Sequence, residues 1–165
     1  MKIALLLAAA LALPLQAAVA PPAKDLEGLY KSGSANPDDQ LEIVRHDDSH
    51  IFLRAALTVG NGHRCSLTGI AAFENGAFVY HDPNPTLSAK QDCTLTVSAK
   101  GDALLLSDRA SPKGPSTCAK LCGNRGGVGD YAMSMASKSA IHALPKLKAS
   151  KDYVQAVKAF EAARQ

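Results

Sequence analysis

A mainly β fold, a small antiparallel barrel or strongly curled sandwich of about eight strands with a C-terminal helix, follows from three features of the sequence. Short runs of alternating apolar and polar residues succeed one another from Leu26 to Met135. Turn residues, Asn61-Gly62 and Asn75-Gly76 among them, separate these runs, and apolar residues take up helical spacing only near the end of the chain. Successive side chains of a strand point to opposite faces, so alternation marks a half-buried strand, and short connections between such strands make a meander.

In chain order, the strands are expected at Leu26–Tyr30, Leu41–His46, His50–Val59, His63–Phe73, Ala77–His81, Asp92–Ala99, Ala103–Ser107 and Asp130–Met135. Asp47-Asp48-Ser49 turns between the second and third. Asn61-Gly62 and Asn75-Gly76 each read as a two-residue hairpin loop, because both positions tolerate the positive φ of a type I′ turn. The fifth strand ends at Asp82-Pro83-Asn84-Pro85, where two prolines remove ladder donors. A short helix is expected over Ser137–Leu144, stopped by Pro145. The last helix is N-capped by Ser150 with Asp152 in its first turn, and Tyr153, Val157, Phe160 and Ala163 trace a face that docks on the barrel or plugs its open end, with a partner-binding helix as the alternative.

The first twenty residues read as a secretory signal peptide: Lys2, the thirteen-residue apolar run Ile3–Leu15, and an Ala-rich stretch with cleavage between Ala17 and Ala20. The expected organisation is therefore a signal peptide over 1–20, a disulfide-stabilised β domain over 21–135 and a basic helical tail over 136–165. Without Lys2 the chain carries 17 basic and 15 acidic residues. That balance is too even to argue for nucleic acid or an anionic membrane surface, and no later apolar run of membrane-spanning length is present. The tail from Lys138 holds six basic residues against Asp152 and Glu161, so a slightly acidic body carries a basic end.

Cys65, Cys93, Cys118 and Cys122 in an exported chain read as two disulfides. Three pairings exist; Cys65 with Cys93 and Cys118 with Cys122 is the favoured one, with Cys118–Cys122 in an irregular turn because residues four apart on a regular helix stand too far apart to bridge. If Asn75-Gly76 is the turn, Cys65 faces position 86, beyond the end of the fifth strand. The start of the fourth strand is then free to meet Cys93 at the start of the sixth.

No nucleophile elbow, phosphate-binding loop or paired cysteine motif of a metal site stands in the sequence, so no catalytic residues, cofactor or metal are expected. His46-Asp47-Asp48-Ser49-His50 is the densest titratable cluster; it could form a weak zinc or copper site, but Asp and Ser at a hairpin tip are ordinary turn chemistry, which is the reading adopted. His63, His81 and Asp82 could meet at one sheet end. Gly28-x-Tyr30 on the first strand hints at a ligand-carrying calycin-type barrel. The most distinctive segment runs from Cys118 to Tyr131, where a disulfide and four glycines present Lys120, Asn124, Arg125 and Tyr131 as candidate binding residues. A pre-ordered loop loses little entropy on binding.

A strand cysteine, Cys93-Thr-Leu-Thr-Val, and Cys118-x-x-x-Cys122-Gly-x-Arg-Gly followed by an aromatic together resemble the β domain of secreted bacterial proteins of the lysozyme-inhibitor LprI type, over about Gly28 to Met135. The resemblance implies a disulfided β fold outside the cytoplasm, periplasmic or secreted. It also implies a non-catalytic protein whose partner is a lysozyme or another protein of the cell envelope. A carrier of small ligands and a weak metal binder are the alternatives.

Overall fold

The computed structural model describes residues 23–32, 36–83, 92–123 and 126–165. The signal-peptide expectation lies outside them. A single helical turn, α1 (Ala23–Leu26), leads into eight strands: β1 (Gly28–Lys31), β2 (Gln40–Arg45), β3 (His50–Val59), β4 (His63–Glu74), β5 (Ala77–His81), β6 (Thr94–Lys100), β7 (Ala103–Ser107) and β8 (Asp130–Ser134). All are antiparallel and neighbours in sequence are neighbours in space, so the sheet is a meander in the order β1 to β8 that curls into a nearly closed barrel. Two short helices follow, α2 (Leu144–Lys148) and α3 (Lys151–Ala162).

The strand alternation anticipated from the sequence is the barrel's inside and outside. Leu41, Ile43, Leu53, Leu57, Leu95, Val97, Leu104 and Leu106 point inward with Tyr30, Phe78 and Tyr80, and together they fill the interior. Such a closed apolar interior is the main stabilising contribution to a chain of this size. The seam between β1 and β8 has no continuous ladder. It is closed instead by the segment after β8, where Leu29 and Ser139 exchange backbone hydrogen bonds of 2.9 and 2.8 Å. Gly28 leaves room for the Lys138 side chain there, and the buried Tyr30 hydroxyl donates to the Leu26 carbonyl at 2.8 Å. In this chain Gly28-x-Tyr30 thus serves the seam and the core.

Asn75-Gly76 forms the expected hairpin, both residues at positive φ (49° and 90°), with Phe73 opposite Phe78. Asn61-Gly62 does not. The β3–β4 connection is a three-residue 3-10 turn, Gly60–Gly62, between Val59 and His63, in which Gly62 alone takes positive φ. The expected helix over Ser137–Leu144 is also corrected. Pro145 stands in the first turn of α2 rather than ending a helix, because proline lacks only an N–H that a first helical turn leaves unused and its φ already suits that turn.

The outer face is dry in one place. Val44, Phe52 and Ile70, side by side on β2, β3 and β4, are covered by Leu147 of α2 and by Tyr153, Val157 and Phe160 of α3. The apolar stripe of α3 therefore docks on the outside of the barrel and does not plug its end. Ser150 caps it as expected, its hydroxyl accepting from the Tyr153 N–H. Arg54, paired across the strands with Glu42 and 3.6 Å from Asp152, ties the first turn of α3 to the sheet.

Inside the barrel one glycine is obligatory. A Cβ at Gly69 of β4 would stand 2.1 Å from the ring of Tyr80, and both the ring and the strand are held by the surrounding core. Gly69→Ala is expected to destabilise the protein by about 1–3 kcal/mol, the usual cost of overpacking a filled core. Urea denaturation of the oxidised protein checks this, and the double variant Gly69→Ala, Tyr80→Phe should recover little, since the clash is with ring carbons.

Candidate functional site

The connection between β7 and β8, residues 108–129, folds back across one mouth of the barrel, and both disulfides end in it. Cys65 of β4 is bonded to Cys122, and Cys93, just before β6, to Cys118. All four expected cysteines are oxidised, but the favoured pairing is overturned. Ala119–Cys122 is a 3-10 turn, and at three residues per turn positions four apart point about 120° away from each other. Cys118 and Cys122 consequently face different neighbours. The place beside Cys65 that β5 leaves empty is taken by this turn and not by Cys93. Each bridge closes a long stretch of chain, 57 and 25 residues, and on loop-closure grounds stabilises the fold by about 3–4 kcal/mol.

A buried carboxylate organises the remainder. Asp108, fully buried, accepts hydrogen bonds from the backbone N–H groups of Cys118 (3.2 Å), Val128 (3.1 Å) and Gly129 (2.7 Å) and from the Ser116 hydroxyl. A desolvated charge is tolerated only when donors surround it in this way. Gly127 lets the loop pass: a Cβ there would fall 1.7 Å from Ser116 Oγ. Thr117 stitches the loop to β6, its hydroxyl accepting from the Thr94 N–H at 3.0 Å and sharing its one hydrogen between the carbonyl oxygens of Thr94 and Asp108, 3.0 and 2.9 Å away. Outside, Arg109 holds the Asp130 carboxylate at 2.8 Å, and this contact together with the Ser107 hydroxyl, the larger influence, keeps that carboxyl below the usual carboxylate range.

Of the residues expected to bind, Lys120 is exposed on the 3-10 turn. Tyr131 sits on β8 with its hydroxyl donating to Asp39 Oδ2 at 2.6 Å, while Asp39 Oδ1 accepts from the Thr58 N–H at 2.8 Å. Burial, and then the Asp39 carboxylate, push the Tyr131 phenol up. Its hydroxyl is thus committed to joining β8 to the far side of the seam. Asn124 and Arg125 lie outside the described residues. Sequence reading missed Asp108 and Asp39: each follows or stands in a turn-like stretch, where Asp is common for other reasons.

At the hairpin tip between β2 and β3 the two histidines lie against the last helix. His50 Nδ1 lies 2.8 Å from Asp47, His46 Nδ1 lies 2.9 Å from the Tyr153 hydroxyl, and the His50 ring meets Phe160 edge-on at 5.0 Å. Both imidazoles therefore face α3. Among the described residues no group of three or more His, Cys, Asp or Glu is placed to hold a metal ion. Nor do His63 and His81 meet. His81 pairs with Glu74 at 3.7 Å and lies level with residue 70 of β4, seven residues and about 23 Å from His63.

No helix among the described residues is long and apolar enough to cross a membrane. The two disulfides fit an extracellular, oxidising location.

Asp108→Ala leaves the N–H groups of Cys118, Val128 and the half-buried Gly129 without their acceptor and is expected to cost on the order of 3 kcal/mol. Hydrogen exchange reads it directly: the Cys118, Val128 and Gly129 amides should exchange faster, while those of β3 and β4 follow only the global loss. A second expectation concerns acid. Partial burial raises the Asp47 carboxyl, but the Ser49 N–H and the His50 imidazole outweigh this and hold it below the ordinary value. A lowered folded-state pKa gives stability that is present above the unfolded value near 4 and is lost as pH falls through the folded one. The gap in melting temperature between the wild type and Asp47→Asn should therefore close as the pH falls below about 4.

Compared with family models, curated proteins and solved structures, the chain finds no match, and the resemblance to LprI-type proteins rests on the sequence motif alone.

Proposed function

We propose that the chain is an exported, non-catalytic binding protein, periplasmic or secreted, whose recognition element is the loop from Cys118 to Tyr131 and whose partner is a lysozyme or similar protein of the cell envelope. The observation that carries this reading is the convergence of both disulfides and the Asp108 carboxylate on one short segment at the barrel mouth. A barrel with a filled interior has no need of two covalent ties on the same turn to stay closed. A loop that must enter a cleft without losing entropy does need them, since immobilising it beforehand strengthens binding. A calycin-type carrier would hold its ligand inside the barrel, where this chain places Tyr30, Phe78 and Tyr80.

The test is a binding and lysis assay of the oxidised mature chain against c-, g- and i-type lysozymes. Inhibition of at least one class is expected, lost on reduction and weakened at least tenfold by the double variant Lys120→Ala, Arg125→Ala, whose circular dichroism should be unchanged. If the oxidised chain binds none of the three, the lysozyme assignment fails.

A further inference from the structure

Beside α3 the outer face of the barrel carries a second feature, separate from the loop. A groove of about 450 Å³ runs between α3 and strands β4 and β5, within the size range of small-ligand sites. Its floor is Ile70, Ala72 and Val79, outward-facing strand positions that a solvated sheet would give to polar residues. On the helix side Tyr153, Ala156 and Val157 pack against the sheet, and the short side chains of Ala156 and Ala159 form the helix wall of the groove. The gap arises because alanines stand where larger side chains would complete the docking.

The rim says what kind of ligand fits. Three carboxylates line the groove, Glu74, Asp82 and Asp152, together with Arg164 and His81; His81 pairs with Glu74, and Arg54 stands 3.6 Å from Asp152. Arg164 holds its guanidinium 5.3 Å from the centre of the Phe160 ring, so the groove already brings an organic cation and an aromatic face together beside carboxylates. Aromatic faces attract cations through the ring quadrupole, and nearby carboxylates add to the attraction.

We propose that this groove binds an amphipathic organic cation, with the apolar body over Ile70 and Val79 and the charged end on Phe160 in the place that Arg164 occupies. Arg164 is then an internal competitor, and its removal separates a cationic ligand from an anionic one. A cation gains when Arg164 leaves; an anion, for which Arg164 would be the partner, loses.

The experiment titrates the oxidised mature chain with dodecyltrimethylammonium below its micelle concentration and, in parallel, with laurate, by calorimetry or by chemical shifts of the Ala156, Ala159 and Val79 methyls. Saturable one-to-one binding of the ammonium is expected. Arg164→Ala should tighten it about threefold or more, and Glu74→Gln should weaken it. Ala159→Phe, which fills the groove, should weaken it at least tenfold; Ala156→Leu serves where that variant misfolds. Laurate binding as tightly as the ammonium, weaker ammonium binding by Arg164→Ala, or binding of neither probe would overturn the proposal. The Lys120→Ala, Arg125→Ala variant should bind the ammonium normally, so the outcome is independent of the loop.

Discussion

A carboxylate removed from water must be given back its hydrogen bonds, and the Asp108 side chain receives them from three points along a loop of more than twenty residues. That requirement shapes the barrel mouth. Once Cys118, Val128 and Gly129 direct their N–H groups at one buried carboxylate, the turn between Cys118 and Cys122 has nowhere to go but alongside β4 and β6. Cys65 and Cys93 are waiting there. The disulfides hold in place a path that the Asp108 donors define, and their loop-closure contribution adds to a geometry already specified by hydrogen bonding. Asp39 plays a smaller version of the same part at the seam, joining Tyr131 on β8 to Thr58 on β3.

The opposite problem, an apolar strip on the outside of a barrel, is solved by α3. Phe52 and Ile70 would face water if the chain ended at β8; Tyr153, Val157 and Phe160 cover them. The hairpin tip contributes through His46 and His50, whose rings meet the same helix. The titratable cluster read in sequence as turn chemistry is, in the folded chain, also the polar edge of a helix dock. Beside the short side chains of Ala156 and Ala159 the helix leaves the groove open.

The strands were legible because a barrel wall imposes a period of two on every residue in it, and that constraint is local. β3, β5 and β7 begin and end where the alternation does, and Asn75-Gly76 forms its turn because both residues can take positive φ. The misreadings share another origin. Asn61-Gly62 carries the same turn signal, yet the long pairing of β3 with β4 places three residues in the loop, and the register overrides the preference of the pair. Pro145 was ambiguous because proline ends one helix as readily as it starts another, and only the docking of Leu147 on the sheet selects between them.

The sequence by itself determined the strand order, the pairing of all four cysteines in disulfides, and the amphipathic face of α3, since each depends on spacing or composition within a short window. The disulfide partners, the burial of Asp108 and Asp39, the closing of the seam by Ser139 and the groove beside α3 were decided by the tertiary structure. Each of these brings together residues from distant parts of the chain, and which of several local solutions is taken depends on the curl of the sheet and the space it leaves, quantities that no single segment carries.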